Sequence, residues 1–291
     1  EGNFVIIDTT DGQQEIIAEV DFDSAPMTIY EGAIYMIQAQ PWQVERLDWV
    51  GRKAFVTRTR ADYYTDAIDY TKLKILDGFD EVAVTNGMIA HGEVHLVRRI
   101  PGFKKIRYYT HENIGYGKIN LPDQQMHTTS AWWQIEPGVL SEHFPDRWRA
   151  LDGFLGAAYA MHHVAALITM SEPHDLGRAV GNSDATWFAT VGPNGRGLAK
   201  SFDGEEINQV AGGDLFHPTV FLYDNYPGGV GLSAPLFDMR EQVLTRALLL
   251  VRACACRYGC PACIGPILTS DEQRGHSPKQ SALTVLQLLC A

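Results

Sequence analysis

Four cysteines fall within ten residues: Cys254, Cys256, Cys260 and Cys263. No cysteine precedes them, and a fifth, Cys290, stands apart near the end of the chain. The spacing is C-x-C-x3-C-x2-C. A zinc ion takes four soft thiolates in a tetrahedron, and a C-x2-C pair wraps the chain around one edge of it. Gly259 and Pro261 flank Cys260 and suit the tight turn this needs. A site with four protein ligands leaves no position for water, so the zinc would be structural rather than hydrolytic. Two disulfides and plain core packing are the alternatives. Short disulfide loops at this density would be strained, and a disulfide scaffold spreads its cysteines to join distant segments. Cys290 reads as a buried hydrophobe on a helix.

Other chemistry-bearing groups give weaker patterns. The stretch 192–201 has glycines and Lys200-Ser201, but its lysine is displaced from the phosphate-loop pattern, so it reads as a loop. Tyr226-Pro227-Gly228-Gly229-Val230-Gly231 lies between a strand-like and a helix-like run. Its glycines would let a phosphate approach a helix N-terminus, or merely serve a tight strand-to-helix turn. Neither G-x-S-x-G nor H-E-x-x-H occurs. His162 and His163 are adjacent, so on a helix they point about 100° apart and cannot face one metal. Asp175 and Asp224 sit beside apolar runs without a defined catalytic partner, and Asp224 is placed to cap a turn at Asn225.

Basic residues are unevenly spread. Arg98, Arg99, Lys104, Lys105 and Arg107 are interleaved with Phe103, Tyr108 and Tyr109. Arg52, Lys53, Arg58 and Arg60 form a second group, with Tyr63 and Tyr64 nearby. Cations neutralise phosphates and aromatic rings stack on bases, so these stretches are candidates for nucleic-acid contact. A solvated strand face is the alternative.

The elements that must position these groups change period midway. Short alternating runs at 4–7, 15–20, 33–38, 42–47, 54–57 and 82–84 predict strands, the first two joined by a hairpin at Asp11-Gly12. Residues 93–99 and 104–109 predict two strands joined by a turn at Pro101-Gly102. From 145 to 170, Trp148, Leu151, Leu155, Ala158, His162 and Ala165 recur at helical spacing. The runs 186–191 and 219–223 predict buried strands. Ser233 is an N-cap candidate for a helix over 233–253, and Ser277-Pro278 opens a last helix. The expected class is α+β: a β-rich half over 1–138, as a small antiparallel sheet or barrel, then an α/β domain over 139–291 carrying the cysteines.

The 291 residues carry 24 Lys and Arg against 35 Asp and Glu, a net charge of -11. Hydrophobic residues make up 45%, which excludes intrinsic disorder. The acidic balance argues against nucleic acid over the whole surface, so any such contact must be local. We expect no bilayer span and no leader peptide, since no run of about 18 apolar residues is evident. The chain starts without Met, which fits an excised piece of a larger protein.

The residues from Tyr223 and Asp224 through Pro227, Gly228, Gly229, Gly231 and Leu232, followed by a helix and then the four cysteines, resemble the C-terminal zinc-binding domain of MrfA-like superfamily 2 DNA repair helicases. The helix with His162-His163 and the element Asp175-Leu176-Gly177 resemble parts of the same domain. Upstream, Ser24-Ala25-Pro26, residues 31–35 and residues 62–65 look like the preceding region of these helicases. The resemblance implies zinc at Cys254, Cys256, Cys260 and Cys263, and no catalytic residue in this stretch. It implies an accessory part of an ATP-dependent DNA helicase, with ATP and Mg²⁺ confined to ATPase lobes of the same chain that would precede residue 1. The implied role is guiding single-stranded DNA and coupling translocation to unwinding in DNA repair, in the cytoplasm at the nucleoid. The alternative is a protein-interaction module in a repair or antiphage complex, docking a basic partner on the acidic surface.

Overall fold

The computed structural model describes residues 2–12, 14–182, 190–191, 197–198, 217–265 and 276–291. The fold is α+β. The described residues form two compact units that interleave in sequence: residues 1–70 with 98–124, and residues 71–97 with 125–291.

The first unit holds a five-stranded sheet in the order β2-β1-β5-β4-β3. Its strands are β1 (Phe4–Asp8), β2 (Glu15–Val20), β3 (Ile34–Ile37), β4 (Gln40–Asp48) and β5 (Lys53–Arg58). The β1-β2 hairpin turns through Thr10–Gly12, as its Asp-Gly signal predicts. A short helix, α1 (Ala25–Thr28), follows β2. Every second residue of β1 is buried, which places Phe4 and Ile6 in a core with Tyr30, Trp42, Val44, Val56 and Phe103.

Two long strands, β6 (Tyr63–Val84) and β7 (Gly87–Arg107), contribute to both units. Their length corrects the expected hairpin at Pro101-Gly102, because both residues lie inside β7. The local turn chemistry is overruled by pairing with β8 (Asn113–Lys118). Gly102 faces β8 so closely that a Cβ there would sit 2.5 Å from the Gly117 carbonyl oxygen. The true reversal lies beyond Arg107, where Arg107 and Glu112 pair through their backbones at 2.9 Å.

In the second unit, β9 (Gln124–Ile135), β10 (Leu176–Asn182) and β13 (Pro218–Asp224) complete a sheet ordered β10-β13-β9-β7-β6. A separate two-residue ladder joins β11 (Thr190–Val191) to β12 (Gly197–Leu198). The rest of the 186–191 reading, and most of the 192–201 loop, lie outside the described residues. Strand β13 is buried at all seven positions, as a strand with both faces covered must be. One face packs on helices; the other forms a small core of Leu73, Val94, Leu96, Trp132, Phe221 and Tyr223.

The helices are α2 (Pro137–His143), α3 (Arg147–Thr169), α4 (Ser233–Asp238), α5 (Arg240–Ala253) and α6 (Pro278–Cys290). Asp146 caps α3 by accepting from the Arg149 N–H, and Met170 ends it in the left-handed conformation. The expected helix over 233–253 is broken at Met239 into α4 and α5. Ser277 caps α6, with Pro278 at its start, as expected.

Helix α3 corrects one expectation. Over Arg149–Thr169 it is long and apolar enough to cross a membrane by length and composition. Its middle is buried nearly all round within the second unit, where Phe154, Ala157, Met161 and Ala165 join Leu236, Val243, Val285 and Leu289 in the main core. A helix apolar on every face is what a core position of this kind requires. Cys290 is a second correction: it is exposed, on the last turn of α6, whose core face is formed by Ala282, Val285, Leu286 and Leu289.

Candidate functional site

Helix α5 packs through Val243, Leu244, Ala247 and Val251, and this stripe fixes where its C-terminus emerges. Cys254 follows at once in an extended conformation. Gly259, at φ 125, reverses the chain between Cys256 and Cys260. The Cys260 carbonyl then accepts from the N–H groups of Cys263 and Ile264, at 3.0 and 3.1 Å, closing the turn that brings Cys263 back.

The four thiol sulfurs lie within 4.8 Å of one another. Cys254 to Cys260 and Cys256 to Cys263 are each 3.5 Å, and Cys260 to Cys263 is 3.7 Å. A Zn–S bond of about 2.3 Å implies tetrahedron edges of about 3.8 Å. A disulfide needs about 2.05 Å, and all four cysteines are free. The sulfur spacing therefore fits a four-thiolate metal and not two disulfides. Burial pushes the Cys263 thiol up to about 12 and raises Cys256 also. The backbone N–H of Cys256 holds Cys254 down to about 7.

One partner of this cluster escaped sequence reasoning. Lys279, in the first turn of α6, is buried, and its ammonium donates to the carbonyls of Cys254 at 2.6 Å and Cys256 at 2.9 Å. Its backbone N–H donates to the Tyr258 carbonyl at 2.8 Å. A cation is thus fixed beside four groups that become anionic on binding a metal. Its only sequence signal is a position just after a helix-capping Ser-Pro.

The glycine segment after β13 is organised by Asp224, which is wholly buried. Its Oδ2 accepts from the N–H groups of Val230 at 2.8 Å, Gly231 at 2.8 Å and Leu232 at 3.2 Å, and from the Thr129 hydroxyl at 3.0 Å. These amides would have to cradle a phosphate, and an internal carboxylate already occupies them. Asp175 is structural too. It accepts from the Tyr226 hydroxyl at 2.8 Å and from the Glu172 N–H at 2.9 Å. His162 is buried with Nε2 2.7 Å from the Leu176 carbonyl, while His163 is exposed with Nδ1 3.0 Å from the Tyr159 carbonyl. The two histidines serve separate surroundings.

The five basic residues from Arg98 to Arg107 share one strand, and acids approach several of them. Arg99 binds Asp123 through two hydrogen bonds of 2.8 Å. Arg98 lies 3.9 Å from Asp69. Arg107 lies 3.6 Å from Asp62 and 3.8 Å from Glu112. Lys105 sits 5.5 Å over the Tyr63 ring. Burial raises the Asp66 carboxyl, and Lys104 pulls it the other way. In the second basic group, Arg58 stacks on Trp42 at 5.3 Å.

Comparison with known proteins agrees with this geometry. Residues 157–264 match the MrfA Zn-binding domain. The chain is 32% identical over 287 residues to an uncharacterized ATP-dependent helicase, YprA, of Bacillus subtilis, covering 98% of this chain and 33% of that protein. It is 22% identical over 268 residues to the ATP-dependent helicase HRQ1 of Saccharomyces cerevisiae, covering 91% of this chain and 23% of HRQ1. The crystal structure of the DUF1998 helicase MrfA bound to DNA superposes with a TM-score of 0.60 at 29% identity, over 99% of this chain and 34% of that one. The chain therefore spans about a third or less of these relatives. Its residues 157–264 match an MrfA-type Zn-binding domain, set in a stretch similar along nearly its whole length to part of an ATP-dependent helicase.

Proposed function

We propose that this chain is a non-catalytic accessory portion of an ATP-dependent DNA helicase, closed by a structural zinc site. The observation that carries the reading is the set of four sulfurs within 4.8 Å of one another, inside the segment that matches a zinc-binding domain. Cys254, Cys256, Cys260 and Cys263 would hold the ion. When bound it would tie the C-terminus of α5 to the segment that leads toward α6. Lys279 holds the carbonyls of two of these cysteines and balances their charge. ATP and Mg²⁺ would act in ATPase lobes of the same polypeptide.

On this reading DNA is the partner, contacted as a single strand by β7. Lys104, Lys105 and the exposed Arg107 are the foremost contacts, with Arg98 and Arg99 held by acids beside them. The parent enzyme would work in DNA repair at the nucleoid. Support comes from the helicase relatives and from the solved relative bound to DNA. Two measurements test it. Purified protein should contain about one zinc per chain, lost in Cys260→Ser. Single-stranded DNA should bind at low salt and release as salt rises, with a smaller salt slope in Lys104→Glu/Lys105→Glu. Binding that ignores both salt and these substitutions would defeat the DNA reading.

A second reading, a protein-interaction module, is favoured by one observation: Asp62, Asp69, Glu112 and Asp123 stand against the arginines of β7. Capture of a basic partner that fails when surface carboxylates are neutralised would support it.

A further inference from the structure

The reversal between β7 and β8 carries a cluster of rings that the zinc site does not use. Tyr109 is 98% exposed, more than any other large hydrophobic side chain among the described residues. A single exposed ring needs no explanation, but this one has neighbours. Its centroid lies 6.5 Å from that of Tyr108, which lies 5.7 Å from Tyr64. The His111 ring lies 6.5 Å from that of Tyr64.

The backbone beneath them is held in an unusual state. Tyr109 has φ 68 and His111 has φ 54. Two side-chain-bearing residues in the left-handed region within three positions is a strained arrangement, and it persists only where the surroundings enforce it. Here the backbone does so: the Thr110 N–H donates to Tyr108 at 2.8 Å, and the His111 N–H to Arg107 at 3.1 Å. The result is a tyrosine fixed outward at a tip, beside an arginine. The ion pairs of Arg107, at 3.6 and 3.8 Å, are longer than the about 2.8 Å of a tight charge-assisted bond, so its guanidinium can turn to a phosphate.

We infer that this tip is a base-stacking platform for single-stranded DNA, with Tyr109 as the stacking ring, Tyr108, Tyr64 and His111 as its support, and Arg107 on the adjoining phosphate. The inference rests on the proposed DNA contact of β7 and adds the part of the strand that is read: the face of an unpaired base. Stacking on an aromatic ring tolerates any base, so the site selects single strands and not sequence.

The test separates base from backbone. Anisotropy at low salt compares a labelled thymine oligonucleotide with an abasic strand of equal length and charge, each binding this chain. The wild type should prefer the thymine strand about tenfold. Tyr109→Ala should lose that preference while keeping its salt slope and its melting temperature, and Tyr109→Phe should keep the preference. Lys104→Glu/Lys105→Glu should weaken both strands equally and leave the preference intact. If the wild type binds both strands alike, or Tyr109→Ala keeps the preference, the platform is wrong while the DNA contact stands. If neither strand binds, both are wrong.

Discussion

Lys279 offers the sharpest test of how the four-cysteine site is held. Lys279→Met keeps most of the aliphatic stem and removes the head that donates to Cys254 and Cys256. A hydrogen bond from a charged donor contributes about 1.5–3 kcal/mol when its partners are buried. The cysteine loop is half exposed, so water recovers part of that loss when the head goes. The head also opposes the net double negative charge that four thiolates would leave around a divalent zinc. Losing a partner of this kind typically weakens metal binding about 10- to 100-fold, or roughly 1.4–2.7 kcal/mol. That range equals about one of the two bonds at full strength. Competition for zinc against a chromogenic chelator at fixed pH measures it directly. Lys279→Arg, which keeps the charge on a bulkier head, should fall between the two. The reasoning fails if Lys279→Met lowers the melting temperature but binds zinc within about threefold of the wild type. Lys279 would then only help seat α6.

Asp224→Asn keeps the shape of a wholly buried group while turning four charge-assisted bonds into neutral ones, so unfolding in urea should show a loss of about 2–3 kcal/mol. Gly229→Ala should destabilise as well, because φ is 74 and a Cβ would sit 2.7 Å from Thr129 Oγ1; its melting temperature reports this. Zinc affinity should rise steeply from pH 6 to pH 9, since binding must displace protons from Cys256 and Cys263, whose thiols burial holds above their ordinary range; a flat titration would contradict thiolate ligation. His162 is held below its ordinary value of 6.5 by burial. The unfolded chain then binds more protons than the native one below pH 6.5, so stability should fall as pH drops through that value, and His162→Gln should flatten the decline in pH-dependent melts.

The four-cysteine cluster was legible because its signal is local. Four thiols within ten residues need only a turn at Gly259 and Pro261 to converge. The hairpin of β1 and β2 and the helices α3 and α6 were legible for the same reason, through a turn pair, a period and a cap. Strand β6 was not. Over Tyr63–Val84 only Thr71 and Leu73 are buried, so no alternation marks it. The turn assigned to Pro101-Gly102 failed because a nonlocal partner, Gly117, decides what those residues do. The charge of β7 was also misleading in isolation. Its acids come from Asp62, Asp69 and Asp123, which pairing and the return strand bring in from elsewhere in the sequence.

The motifs that first suggested chemistry in this chain turn out to hold one another. His162 on α3 binds the carbonyl of Leu176. Asp175, just before it, binds Tyr226, and the Asn225 N–H donates to the Asp175 carbonyl at 2.9 Å. Thr128 on β9 donates to the carbonyl of Asp224, whose side chain collects the loop amides. Most of these polar groups are bound by another member of the set, while Asp224 Oδ1 and His162 Nδ1 are buried without a hydrogen-bond partner. A buried network of this kind fixes backbone, since breaking any one bond strands a partner in low dielectric. What it fixes is the end of β13 and the start of α4. Helix α5 follows α4 after a single residue, Met239, and delivers Cys254 to the cysteine cluster. The roles separate by chemistry: carboxylates and histidines set the frame, and the four thiols converge within 4.8 Å of one another.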